Sequence, residues 1–142
     1  MDTKKIIKNI FEWFIYIIIF MAIVYGTPKI LVKTLHTIYP IASITSSSMW
    51  PALKQGDIVF IKGVDAKTEV KIGDIVVYKN ERGFTIHRVI QMDENTLTTK
   101  GDANNVEDAP IAYSELIGKT VNLKGKLIRI PYLGKLSQIF MK

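Results

Sequence analysis

The chain contains no cysteine and only two histidines. The first absence removes disulfides, thiolate zinc sites and a cysteine nucleophile together, and with them any inference about redox compartment. The second leaves too few imidazoles for a multi-histidine metal centre, so no metal or cofactor is expected. Repeats and low-complexity linkers are missing too, and 142 residues suit one folded domain rather than two. Positive charge is scarce where a nucleic-acid binder would concentrate it. Residues 34–118 carry eight basic and eleven acidic side chains. Residues 1–33 carry five lysines against two acids, and residues 119–142 carry six basic residues and no acid. The excess that makes the chain +6 therefore lies at its two ends, beside apolar segments. That arrangement suits attraction to anionic lipid head groups and argues against a nucleic-acid partner.

What is abundant is an apolar run near the start. Ile10 to Thr27 is an eighteen-residue stretch whose single charge is Glu12. As a helix it would span about 27 Å, close to the hydrocarbon thickness of a bilayer. Trp13, Tyr16 and Tyr25 lie near its ends, where aromatic rings favour the interface, and Pro28 is the expected stop. A removed secretory signal would end in a small-x-small site, but Ile23-Val24-Tyr25 offers only bulky residues. The run is apolar on all faces, unlike a helix packed by one side on a core. The expectation is an uncleaved single-pass anchor in the cell membrane, with the lipid bilayer as a partner. Lys4, Lys5 and Lys8 before the run outnumber Lys29 and Lys33 after it. This places the N-terminus in the cytoplasm and the remainder on the extracytoplasmic side.

After Pro40 the periodicity becomes that of strands. Ile58–Ile61, Asp74–Tyr78, Phe84–Ile90 and Thr96–Thr99 are short β-branched or aromatic runs. Turn formers separate them: Gln55-Gly56-Asp57, Ile72-Gly73-Asp74, Asn80-Glu81-Arg82-Gly83, Asp93-Glu94-Asn95 and Gly101-Asp102. Lys119–Leu123 and Lys126–Ile130 complete the set. The fold expected is a small, mostly antiparallel β body at residues 31–142, behind an N-terminal segment and anchor at residues 1–30. In Pro131–Phe140, Leu133, Leu136 and Phe140 fall at helix-face spacing. That segment is too short to span a bilayer but could lie in its interface.

Few residues offer chemistry. Ser46-Ser47-Ser48 is followed by Met49, Trp50 and Pro51, so large apolar residues and a rigid backbone adjoin a serine. Serine needs a base within hydrogen-bond reach to act as a nucleophile. His36 follows the anchor directly and reads as interfacial. His87 lies within a strand run, on one face with Thr85 and Val89 by period-two alternation, where a satisfied structural histidine is the default and a general base the alternative. The segment Lys100–Asp108 supplies Asp102, Glu107 and Asp108. It reads equally as a plain turn-rich loop, and its spacing does not match an EF-hand calcium loop.

In order, these blocks resemble type I signal peptidases. The resemblance runs through Ser46–Pro51, Gly56-Asp57-Ile58-Val59, Gly73-Asp74-Ile75-Val76, His87-Arg88-Val89-Ile90, and Gly101-Asp102-Ala103-Asn104 with Asp108. It covers residues 43 to about 134, and His87 points to the branch that uses histidine rather than lysine as base. The resemblance implies Ser48 as nucleophile, His87 as general base and Asp108 as the acid that orients it. Asp102 would be a second required carboxylate, so the residue orienting His87 stays open between the two. Ser46 and the backbone amide of Ser48 would hold the oxyanion, and Met49, Leu53 and Ile86 would line a shallow pocket for small side chains. The substrates implied are the signal peptides of secretory preproteins, cut after a small-x-small motif, with accessory subunits as further partners.

Two features depart from the family. Ser47 stands where glycine is common, and no second apolar helix follows the body before Lys142. The lysine-type self-cleaving repressors share a related β body, but they carry a DNA-binding domain where this chain has its anchor. A membrane-tethered β module that binds without catalysis is the alternative from another class.

Overall fold

A computed structural model describes residues 3–64, 69–80 and 83–134. It begins with one long helix, α1 (Thr3–Leu35), which has a mean hydropathy of 2.0 over its most apolar window and is long enough to cross a membrane. Large apolar side chains such as Trp13, Phe14, Ile17, Phe20 and Val24 are exposed along it. Lys8 and Glu12 pair one turn apart at 3.9 Å, so the charge in the apolar run has a partner. Sequence reasoning stops this helix at Pro28, but it continues through that proline to Leu35. Proline removes its own bond to the carbonyl one turn back and crowds that carbonyl, a local cost that a long helix can absorb. The aliphatic residues of Lys29-Ile30-Leu31-Val32-Lys33 carry the helix on beyond it.

The chain divides into two compact units, Met1–Thr34 and Leu35–Lys142. The second is the β body. Its strands are β1 (Ile41–Ser43), β2 (Ile58–Lys62), β3 (Ile75–Asn80), β4 (Gly83–Met92), β5 (Thr96–Lys100), β6 (Ile111–Ala112), β7 (Leu116–Thr120), β8 (Asn122–Leu123), β9 (Lys126–Leu127) and β10 (Arg129–Ile130). The main sheet runs β1-β2-β7-β3-β4-β5-β6, with β10 also on β2, and its pairings are antiparallel. The expected mostly antiparallel β fold is therefore what forms, and the four central runs became β2 to β5. Sequence reading missed β1 and β6, which are too short to show alternation, and the start of β7. The two late runs are each broken in the middle. β8 and β9 form a separate hairpin over Lys124 and Gly125, whose φ values of 50° and 77° suit a tight two-residue turn.

Cross-strand register decides which residues share a face. Val76 lies opposite His87, and Tyr78 opposite Thr85. Val76, Tyr78 and Val89 join Val70 and Leu97 in one buried cluster. Ile75, from the other parity of β3, joins Ile44, Met49, Leu53 and Val59 in a second, with Ile86 half-buried against it. The central strands are thus covered on both faces, which explains why β3 reads as a continuous apolar run rather than an alternating one. Leu136 and Phe140 of the expected interfacial segment lie outside the described residues.

The strand β2 begins beside a buried charge. Asp57 is 1% exposed, accepts a hydrogen bond from the Lys54 amide at 3.0 Å, and is paired with Arg129, which leads β10 onto β2. Burial pushes its acidity toward weaker values. The Lys54 amide, the Arg129 guanidinium and the Tyr132 backbone outweigh that and hold the carboxyl below the ordinary 3.8. Because the folded value is the lower one, the ionised group stabilises the fold above pH 3.8. That contribution fades as pH falls through the folded value. Asp57→Asn is expected to cost about 1–3 kcal/mol at neutral pH, and the difference from the parent should shrink in acid. Thermal melts at neutral pH and at about pH 3 check this; equal melting temperatures at neutral pH would contradict it.

Candidate active site

His87 sits in the middle of β4 and is 8% exposed. Its Nδ1 lies 2.6 Å from Asp108 Oδ2, and its Nε2 lies 3.1 Å from Ser48 Oγ. An ionised carboxylate only accepts hydrogen bonds, so Nδ1 carries the ring proton and Nε2 is left as an acceptor for the Ser48 hydroxyl. Ser46 Oγ stands 3.0 Å from Ser48 Oγ. With the Ser48 proton directed at the imidazole, the Ser46 hydroxyl is the donor of that pair. Nucleophile-type oxygen, ring and carboxylate thus form one continuous line.

Each member is held by different means. His87 is fixed by strand pairing on both sides of β4. Asp108 arrives from the loop between β5 and β6, where its amide donates to the Thr99 carbonyl at 2.8 Å. Ser48 stands in a turn anchored by its neighbour Met49, 1% exposed, and by Leu53, 0% exposed. The Leu53 amide closes the turn on the Met49 carbonyl at 2.9 Å. Of the expected pocket residues, Met49 and Leu53 are therefore core side chains, because the turn needs an apolar anchor, and Ile86 packs half-buried against the same cluster.

Asp102 does not meet His87. Its carboxylate takes a two-pronged contact from Arg88, Nε to Oδ1 at 2.8 Å and Nη2 to Oδ2 at 2.7 Å. Arg88 Nη1 also donates to the Gly73 carbonyl at 2.8 Å. The Asp102 hydrogen bonds raise the basicity of Arg88 above its ordinary value. This fork ties the Gly101–Asn104 loop to β4. The same loop reaches the serine, since the Ala103 amide donates to the Ser48 carbonyl at 2.8 Å. The carboxylate reaching His87 is thus Asp108, a choice the sequence left open.

Two hydroxyls around Asp108 escaped the sequence reading. Thr99 Oγ1 donates to Asp108 Oδ2 at 2.6 Å, and the Tyr78 hydroxyl lies 3.2 Å from the same oxygen. Burial, with the Asp108 charge beside it, raises the Tyr78 phenol above its ordinary value of 10.0. Period-two alternation groups His87 with Thr85 and Val89, but only the β3–β4–β5 register brings in Tyr78 and Thr99. No group of three or more His, Cys, Asp or Glu side chains suited to a metal ion occurs among the described residues.

Gly101 is a further requirement of this geometry. A Cβ there would lie 2.7 Å from Asn104 Nδ2 and 2.8 Å from the Ser48 carbonyl oxygen. Gly101→Ala should therefore push the loop off Ser48 and lose the Ala103–Ser48 hydrogen bond. Amide hydrogen exchange is the check: the Ala103 N–H is expected to exchange about tenfold faster or more. Unchanged protection would mean that the loop absorbs the methyl group elsewhere.

Comparison with known proteins places this geometry in a family. The model of the Peptidase S24-like family matches residues 26–127, which include Ser48, His87, Asp102 and Asp108. A signal peptidase complex catalytic subunit SEC11 from Lodderomyces elongisporus is 45% identical over 84 residues, covering 54% of this chain and 48% of that protein. The subunit of the same name from Candida dubliniensis is 41% identical over 99 residues, covering 62% of this chain and 58% of its own length. That from Debaryomyces hansenii is 34% identical over 133 residues, covering 80% of this chain and 77% of that protein. The chain spans about half the length of the first two of these relatives. With the match running through the anchor's end, the serine turn, β4 and the aspartate loop, the chain belongs to the Peptidase S24-like family of proteases, on the side of its signal peptidases.

Proposed function

We propose that this chain is a membrane-bound serine endopeptidase that removes signal peptides from secretory preproteins, with Ser48 as nucleophile and His87 as general base. The observation that carries the reading is the line from Ser48 Oγ to His87 Nε2, 3.1 Å, and from His87 Nδ1 to Asp108 Oδ2, 2.6 Å. Both distances allow proton transfer and orientation without rearrangement. Ser48 Oγ attacks the scissile carbonyl while its proton passes to Nε2. Asp108 holds the ring by Nδ1 and stabilises the imidazolium that forms. The Ser46 hydroxyl and the Ser48 amide are the donors this reading assigns to the developing oxyanion, each worth about 3–4 kcal/mol.

The intermediate collapses as the carbon–nitrogen bond breaks. The imidazolium gives its proton to the departing amine, the new N-terminus of the mature protein. The signal peptide stays as an ester on Ser48. A water that loses its proton to the same imidazole then frees it and restores the serine. Asp102 acts at a distance, through Arg88 and the loop against Ser48.

Ile86, half-buried against the cluster that holds Met49 and Leu53, is the one of these three side chains left to meet a substrate, and cleavage after a small-x-small motif rests on the family resemblance. α1 keeps the body at the membrane where precursors emerge. The lysines at its start are consistent with a single pass, a cytoplasmic N-terminus and a body on the extracytoplasmic side of the cell membrane. The names of the relatives refer to a complex, so accessory subunits are partners of this reading.

Ser48→Ala and His87→Ala should each lower cleavage of a detergent-solubilised precursor by about 10⁶-fold with the melting temperature kept. Full cleavage by Ser48→Ala would overturn the reading. In membrane vesicles of known orientation, residues 43–142 should resist protease added from the cytoplasmic side. Their digestion from that side would reverse the topology.

A further inference from the structure

We propose that Thr99 and Tyr78 are positioning residues of the reaction, two buried hydroxyls that hold Asp108 Oδ2 against His87 Nδ1. The inference rests on the reading of Ser48 and His87 as nucleophile and base, and adds the groups that keep the third member in line. Three partners converge on one carboxylate oxygen: His87 Nδ1 at 2.6 Å, Thr99 Oγ1 at 2.6 Å and the Tyr78 hydroxyl at 3.2 Å. A further contact of 3.3 Å between Thr99 Oγ1 and the Tyr78 oxygen closes a triangle with Asp108. Thr99 has one hydroxyl proton, and the shorter contact assigns it to Asp108. The Tyr78 proton then points into the triangle, to the carboxylate or to Thr99 Oγ1. Either choice stabilises the negative oxygen.

Burial explains why these hydroxyls matter more than a surface hydrogen bond would. Thr99 is 0% exposed and Tyr78 4% exposed, so water cannot replace either donor, and leaving either unpaired would be costly. Asp108 is different. Its side chain is 24% exposed, and it leaves a loop whose preceding residues Asn105, Val106 and Glu107 are exposed. A carboxylate so placed can turn toward solvent, where it hydrogen-bonds well and no longer meets the imidazole. Thr99 opposes this twice, gripping Asp108 through its carbonyl at 2.8 Å and through its hydroxyl. Tyr78 caps the same oxygen from β3. The upward shift of the Tyr78 pKa keeps its proton available as a donor across the pH range in which the reaction would run.

The test uses the full chain in detergent and a secretory precursor whose signal ends in Ala-x-Ala. Thr99→Val keeps shape and removes the hydroxyl, Thr99→Ser keeps the hydroxyl, and Tyr78→Phe deletes one oxygen. Thr99→Val should lower kcat by about 10²-fold, the scale of a misplaced catalytic group, with KM changed by less than about twofold. Thr99→Ser should recover most of that loss, and Tyr78→Phe should lose about tenfold. In an Asp108→Asn background Thr99→Val should cost nothing further, since it acts through the carboxylate.

Wild-type kcat in both Thr99→Val and Tyr78→Phe, alongside an inactive Ser48→Ala, would overturn this inference alone. So would losses in Thr99→Val that add in full to those of Asp108→Asn, because that is the behaviour of general packing. If Thr99→Val does not fold, Tyr78→Phe and its combination with Asp108→Asn decide by the same criteria. An active Ser48→Ala would instead remove the reading on which both rest.

Discussion

The antiparallel pairing of β4 with β3 on one side and β5 on the other is the constraint from which the rest of the site follows. That pairing fixes the direction of His87 to within the freedom of one side chain. It also brings Tyr78 from one neighbour and Thr99 from the other to the same carboxylate. A slip of one residue would turn His87 to the opposite face and scatter all three. Register here is over-determined. Both faces of the central strands are buried, so a slipped pairing would bring side chains of the wrong shape into two close-packed clusters at once.

The sequence revealed the β class and the ordering of the chemical blocks because both are local properties. Apolar runs bounded by Gly-Asp turns mark the strands β2 to β5, and the resemblance carried by Ser46–Pro51, His87-Arg88 and Gly101–Asp108 marks the site. It could not rank Asp102 against Asp108. Both lie in one loop, and their roles depend on which side the loop is fastened. The fastening is Arg88, whose parity on β4 is opposite to that of His87. Nor could it show Met49 and Leu53 as buried anchors, because a short apolar pair beside a serine reads equally as core or as pocket wall. The end of α1 was misjudged for a similar reason. A proline is a local signal for a stop, but its lost hydrogen bond and crowded carbonyl are confined to one turn, and the residues after it continue the helix.

Arg88 has a place of its own in this arrangement. It adjoins His87 in sequence, yet it points away and uses all its geometry to hold a turn at Gly73 and a loop at Asp102. Adjacent positions on one strand therefore serve the two sides of the same problem. One presents the imidazole, and the other tethers the loop whose backbone braces Ser48. The close approach of Gly101 to the Ser48 carbonyl belongs to the same bracing.

Ser48 and His87 are placed by two different hydrophobic clusters. The serine turn is rooted through Met49 and Leu53 in one, while Val76, Tyr78 and Val89 around the histidine belong to the other. Their separation then depends on the packing of both clusters against the shared strands β3 and β4, and it inherits the looseness of both. A small cavity opened in either cluster, far from any polar atom, would widen the gap between oxygen and nitrogen before the fold gave way. Reactivity in such a molecule is a more sensitive gauge of core packing than stability is.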